Sequence, residues 1–115
     1  MSQFRLFSAA LRTANGAAII DLSGEINGAA DAALSDAYAQ AVLGRPQRLL
    51  LNFHDVDYIN STGIALIVGV LAQARKAQLP LVTFGLSPHY QEIFRITRLA
   101  DFIGMVEDEA AALAG

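Results

Sequence analysis

Two adjacent hydroxyls, Ser61 and Thr62, stand between a polar stretch, Asp57-Tyr58-Ile59-Asn60, and Gly63 with the apolar run Ile64 to Ala72. This order reads as a loop entering a helix. Asn60 or Ser61 is the N-cap, Thr62 begins the first turn, and Gly63 permits close packing. A helix N-terminus presents free N–H groups and a partial positive charge, so it accommodates an anion. A phosphate on Ser61 adds about −1.5 to −2 charges at that point. Because the position is a loop, the effect falls on a surface partner rather than on the core. The plain alternative is structural: a cap, a first turn and a packing glycine.

Other chemistry-bearing residues are sparse. Ser61, His54 and Asp57 are the residue types of a nucleophile, base and acid, but no motif supplies an oxyanion hole. His54 and His89 are not paired at helical spacing. A metal site from them needs Asp55 or Asp57 brought in by the fold, and two surface loop histidines are the simpler reading. The sequence contains no Gly-x-x-x-x-Gly-Lys-Ser/Thr phosphate loop, no Gly-x-Gly-x-x-Gly after a strand and no Gly-x-Ser-x-Gly. Cysteine is absent, which removes disulfides, Cys-ligated zinc and a Cys nucleophile. No catalytic residue, metal or cofactor is assigned, and a non-enzymatic protein is expected.

The elements that position Ser61 follow from periodicity and punctuation. Phe4 to Arg12 alternates in part and reads as an edge strand. Asn15-Gly16 signals a tight hairpin turn, with Ala17 to Leu22 returning. Ser23 to Gly28 is loop-like. Ala29 to Leu43 is Ala-rich, with apolar residues at Ala30, Ala33, Leu34, Ala37, Tyr38 and Ala41, and stops at Gly44-Arg45-Pro46. Leu49 to Phe53 reads as a strand covered on both faces, and His54 to Asn60 as a polar loop. A helix follows from Thr62 to Ala77, with Ile64, Ile67, Val68, Leu71 and Arg75 on one face and Leu66, Val70 and Gln73 off it. Leu81 to Phe84 is a strand. Ser87 caps and Pro88 starts a helix to about Thr97. Phe102 to Val106 is a last strand. Glu107-Asp108-Glu109 opens an Ala-rich terminal helix. Phe84, Phe94 and Phe102 are expected in the core, and Arg95 and Arg98 complement a helix C-terminus. The order β-β-α-β-α-β-α-β-α implies a mixed, mostly parallel α/β sheet with an N-terminal antiparallel hairpin and about four helices.

Composition bounds the rest. Hydrophobic residues make up 54% and charged residues 17%, with a net charge of −3. Disorder needs the opposite balance, and a nucleic-acid module needs a basic excess. Met1 to Arg5 lacks the apolar core of a signal peptide. The run Ile64 to Ala72 falls short of the roughly 20 residues of a membrane helix. One soluble, cytoplasmic domain spanning residues 1–115 is expected, without membrane insertion.

Several segments, taken in order, carry a family resemblance. They are Leu22-Ser23-Gly24-Glu25-Ile26-Asn27, Leu49-Leu50-Leu51-Asn52-Phe53 and Val56-Asp57-Tyr58-Ile59-Asn60-Ser61-Thr62-Gly63-Ile64. Pro88-His89-Tyr90-Gln91-Glu92-Ile93-Phe94 and Leu99-Ala100-Asp101-Phe102-Ile103 complete the set. Over nearly its whole length the chain resembles a STAS domain of the anti-sigma-factor antagonist type. The resemblance implies a non-catalytic phosphoswitch. Ser61, or alternatively Thr62, is the residue that an ATP-binding anti-sigma serine kinase phosphorylates. The unphosphorylated form binds that kinase and frees a sigma factor, phosphorylation releases it, and a PP2C-type phosphatase resets it. Charge added at the centre of a buried contact costs desolvation and repulsion. A monomer or weak homodimer is implied.

Two positions depart from the family pattern: Asn60 and Asn27 stand where acids are usual. That keeps a second role in view, a constitutive STAS interaction module in a stressosome-like or lipid-transport assembly. The partner surface expected for either role joins Asn27 and Gly28 to Asn60, Ser61, Thr62 and Gly63, and continues along the helix through Leu66, Val70 and Gln73. Its warrant is the apolar girth of that helix, since a helix with one buried face carries polar residues opposite. The alternative is that both sides pack within the domain.

Overall fold

A tight turn at Asn15-Gly16 starts the sheet: both residues hold positive φ, 51° and 79°, as a type I′ hairpin requires. The computed structural model describes residues 5–114. The turn joins β1 (Ser8–Ala14) to β2 (Ala17–Ile26). A 3-10 turn (Gly28–Ala30) leads into α1 (Asp31–Leu43), followed by β3 (Arg48–Ile59) and α2 (Ser61–Lys76). Then come β4 (Leu81–Phe84), α3 (Pro88–Ile96), a second 3-10 turn (Leu99–Asp101), β5 (Gly104–Val106) and α4 (Glu109–Ala114). The strands lie in the order β1-β2-β3-β4-β5. β1 runs antiparallel to β2, and every other neighbouring pair is parallel. This is the mixed α/β sheet that the alternation of elements predicts.

Side chains alternate between the two faces of the sheet. Ala18, Ile20 and Leu22 join Leu49, Leu51, Leu34, Tyr38, Ile67, Val70 and Phe94 in the larger apolar layer, so α1, α2 and α3 share one face. Ala17, Ile19, Leu50 and Phe84 form a smaller layer with Ala112 of α4. Covering on both faces explains why Ala17–Ile20 and Leu49–Leu51 read as unbroken apolar runs.

The structure departs from the sequence reading at several boundaries. The first strand begins at Ser8, and Phe4 lies outside the described residues. Ser23–Ile26 and His54–Ile59, expected as loops, continue β2 and β3 as paired strand, with register shifts between Asp21 and Ser23 and between Gly24 and Glu25. Their polar side chains occupy exposed positions such as His54, Asp55 and Asp57, so they lack the apolar pattern of a buried strand. Part of that stretch is held from above. Glu25 N–H donates to the Arg5 carbonyl at 3.0 Å. Gly24 has φ 84°, and a β-carbon there would lie 2.3 Å from the Leu6 carbonyl oxygen. Phe102 precedes β5, is 53% exposed, and does not belong to the core. Phe84 and Phe94 are buried as expected.

The short α4 is fastened by charge. Arg12 Nε donates to Asp21 Oδ2 at 2.6 Å and Nη1 to Glu109 Oε2 at 3.0 Å. Asn52 Nδ2 donates to Asp21 Oδ1 at 2.9 Å. Arg48 Nη1 donates to the carbonyls of Ala112 and Leu113 at 3.1 and 3.2 Å, satisfying groups that a helix end leaves open. The Arg12 guanidinium holds the carboxyls of Asp21 and Glu109 below their ordinary ranges. A carboxylate with a lowered folded pKa stabilises fully above its unfolded value and loses that contribution as pH falls through the folded one. Stability is therefore expected to be level from neutrality to about pH 5 and to fall below about pH 4. Arg12→Ala should flatten part of that fall, by no more than about 1 kcal/mol because the pairs are half-exposed. Urea unfolding of both proteins across this range checks it, and identical pH slopes would contradict the tether.

Candidate partner-binding site

Of the two sequence candidates for the N-cap of α2, the structure selects Asn60. Its Oδ1 accepts from Gly63 N–H at 2.8 Å, and its carbonyl accepts from Ile64 N–H at 2.9 Å. Ser61 and Thr62 are thereby the first helical residues, and both are exposed. Capping does not consume the serine. Among the described residues no hydrogen bond engages the Ser61 hydroxyl.

Backbone contacts fix where this helix starts. Asn60 N–H donates to the Ile26 carbonyl at 3.1 Å. A β-carbon at Gly63 would lie 2.1 Å from that same oxygen, so only glycine allows the helix to seat so closely on the end of β2. Ile26 and Ile59 are register partners in the parallel β2–β3 pair. Asn27 and Asn60 therefore leave the sheet side by side at its carboxyl edge, where open α/β sheets place their functional loops. Asn27 caps the 3-10 turn, its Oδ1 accepting from Ala29 N–H at 2.9 Å. A β-carbon at Gly28 would sit 3.5 Å from Thr62 Cγ2. The structure thus brings together Asn27, Gly28, Asn60, Ser61, Thr62 and Gly63.

It does not bring Val70 to that surface. The buried side of α2 is Gly63, Ile67, Val70, Leu71 and Ala74, and Val70 is 4% exposed. Leu66 is half-buried against the core. Gln73 is exposed. Val68, assigned to the inner face from sequence, is 42% exposed. The inner stripe is rotated by about one residue because small residues belong to it: Gly63 and Ala74 mark the closest approaches, and a search for large apolar side chains passes over them.

A residue the sequence reading left without a role secures the loop from the other side. Tyr90 on α3 is buried; Ile59 N–H donates to its hydroxyl at 2.8 Å, and the hydroxyl donates to Ile59 O at 3.4 Å. Ser87 caps α3 as expected, its Oγ accepting from Tyr90 N–H at 3.3 Å, which sets the rotation that aims the ring. The Ser61–His54–Asp57 combination is not assembled. Asp57 accepts from Arg5 Nε at 3.1 Å and Nη2 at 3.0 Å, and Arg5 holds its carboxyl below the usual range. His54 Nδ1 lies 3.1 Å from Asp55 Oδ1. Among the described residues no three His, Cys, Asp or Glu side chains gather to hold a metal ion, and no helix is long and apolar enough to cross a membrane.

The fold and this edge define the class: a mixed α/β domain that presents a capped, hydroxyl-bearing helix start where two parallel strands end. The chain belongs to the STAS domain family, the model described as Mlab, STAS domain, matching residues 9–107. A protein of Bordetella bronchiseptica assigned the name anti-sigma factor antagonist BtrV is 31% identical over 100 residues, covering 87% of this chain and 86% of that one. Among solved structures, an anti-sigma factor antagonist from Mycobacterium paratuberculosis superposes with a TM-score of 0.78 at 18% identity, over 95% of this chain and 92% of that one. The Bacillus cell fate determinant SpoIIAA in its phosphorylated form gives 0.69 at 19% identity, over 91% and 96%. At these identities the structures show the shared fold.

Four substitutions at three positions test the seat and the cap. Gly63→Ala should destabilise by about 1–3 kcal/mol, since backbone must shift to admit the methyl group. Gly69→Ala on the same helix, where a β-carbon meets nothing within 4 Å, should stabilise by about 0.5–1 kcal/mol. Asn60→Ala should cost about 1 kcal/mol, whereas Asn60→Asp should hold or gain a few tenths from the helix dipole. Melting and denaturant curves decide both; a Gly63→Ala protein as stable as wild type would remove the close-contact account.

Proposed function

We propose that this protein is a non-catalytic regulatory binding protein of the anti-sigma-factor antagonist kind. In this reading it binds an ATP-dependent anti-sigma serine kinase when unphosphorylated and is released by phosphorylation at Ser61, with a PP2C-type phosphatase restoring it in the cytoplasm. The observation that carries the reading is the free, exposed Ser61 hydroxyl at the first position of α2, with capping delegated to Asn60. The names of the relatives support the same direction. A phosphate there would sit on the positive end of a helix, beside the Asn27 turn. Its charge would enter the middle of a surface assembled from two loops, where an unmatched, desolvated charge is costly. Thr62 is the alternative acceptor on the same turn.

One observation favours a second reading. Both caps are neutral asparagines at positions where the resemblance implies acids, and each still makes its capping hydrogen bond without a carboxylate. A constitutive docking module in a larger assembly needs the geometry alone.

A pull-down with and without ATP separates the two, using wild type, Ser61→Ala and Ser61→Asp as baits with intact-mass readout. The switch predicts a kinase retained by wild type and Ser61→Ala, a single phosphate gained on wild type only, and affinity lowered at least tenfold, about 1.4 kcal/mol, in Ser61→Asp. Equal retention of one non-kinase assembly by all three baits, with unchanged mass, would overturn it in favour of the docking module.

A further inference from the structure

Away from Ser61, α2 presents a second feature that neither stability nor the switch explains. Val68, Leu71, Ala72 and Arg75 of α2, with Leu99 and Phe102, line an open groove of about 470 Å³. Its walls are apolar and in contact with solvent: Phe102 is 53% exposed and Val68 42%. The guanidinium carbon of Arg75 lies 4.6 Å from the centre of the Phe102 ring, a cation–π arrangement that fixes ring and charge together at the rim. Among the described residues neither Arg75 nor Lys76 forms an ion pair. Asp101, the acid next to Phe102, is already matched by Arg98 at 2.7 Å. The groove therefore has an apolar floor and an unmatched positive rim, on a chain whose net charge is −3.

We infer that this groove is a docking site for an α-helix of a partner protein that carries an apolar ridge flanked by acidic residues. Charge complementarity selects the flank: a carboxylate would meet Arg75 at the rim, and the surrounding field of an acidic protein repels such a helix elsewhere. The shape selects a helix. The groove is lined along two turns of α2 by Val68, Leu71, Ala72 and Arg75, and the small exposed residues Ala72 within it and Ala65 and Gly69 beside it let a second helix axis come close, ridge into groove. The open space above Gly69 is the position that packing inside the chain leaves vacant. Ser61 does not line the groove; Val68 lies about 10 Å further along the helix.

The test uses the full chain and two synthetic helical peptides of about 18 residues with an identical leucine ridge. One carries Glu on both flanks and the other Lys. Binding is followed by amide chemical shifts of the isotope-labelled protein. The Glu peptide should move the signals of Val68, Gly69, Ala72, Arg75 and Phe102 and bind at least tenfold more tightly than the Lys peptide. Arg75→Glu should reverse the preference. Gly69→Gln should weaken binding at least fivefold while melting no lower than wild type, because glutamine is the better helix former and nothing inside the chain opposes it. Ser61→Asp should leave peptide affinity within twofold, so failure of the switch and failure of the groove are separate results. Equal binding of both peptides, no binding, or shifts confined to other residues would overturn the inference. Concentration-dependent shifts of the groove residues without peptide would also overturn it, in favour of a second copy of this chain.

Discussion

The position of Ser61 depends on a contact that leaves no room for a β-carbon. The Ile26 carbonyl oxygen at the end of β2 accepts from Asn60 N–H and faces the α-carbon of Gly63. One oxygen thus meets the residue that caps α2 and the residue that closes its first turn. The helix can neither slide along its axis nor tilt away without losing a hydrogen bond or opening a gap. Because Ile26 and Ile59 are register partners, the same contact ties the turn after β2 to the turn after β3. Tyr90 closes the arrangement from α3 by occupying both backbone groups of Ile59. The serine is therefore held by sheet register and backbone contact rather than by side chains that a partner or a phosphate would disturb.

That separation of geometry from charge is clearest at the caps. An Asx side chain caps a helix with one oxygen, and asparagine supplies it as well as aspartate does. Asn27 and Asn60 each make the capping bond expected of the acid, so the loops keep their shape without two negative charges. Asp57, the acid three residues before Asn60 on β3, is matched by Arg5. A phosphate arriving at Ser61 would meet little repulsion from its own chain, and the cost of its charge would fall on the complex.

Much of this was legible in the residues themselves. The hairpin turn, the Ser87-Pro88 start, the strand Leu81–Phe84 and the order of elements follow from local rules whose physical causes are local: positive φ, fixed proline φ, capping oxygens. The candidate surface around Asn27 and Asn60–Gly63 was legible as a set, although its reason, the parallel register of β2 and β3, is not a local property. What escaped was non-local. Polar residues in His54–Ile59 read as loop because the strand's partners, its register shifts and the covering Arg5–Leu6 segment are invisible to a periodicity argument. Val70 and Val68 exchanged faces because a helix that is apolar nearly all round has no clear moment, and its inner side is marked by Gly63 and Ala74. Phe102 was expected in the core on side-chain type alone.

The exchange of Val68 and Val70 turns the apolar girth of α2 into a sharper observation. The inner stripe, with Ile64 and Leu66 packed at its edge, is the helix's part in the core, and Val68, Ala65 and Ala72 do not belong to it. Exposed helix positions accept Lys, Glu or Gln without loss of helix stability, and such residues favour solubility. Yet no charged residue occurs from Ser61 to Ala74, and the first cation beyond, Arg75, lies against the exposed Phe102 ring. A stripe that folding would allow to be charged, and that is neutral along its whole length, is what the docking proposed for this side of α2 would require. At the far end of that stripe Arg75 stacks on Phe102 at the rim of the groove proposed for a partner helix, about four turns beyond the hydroxyl-bearing start of α2.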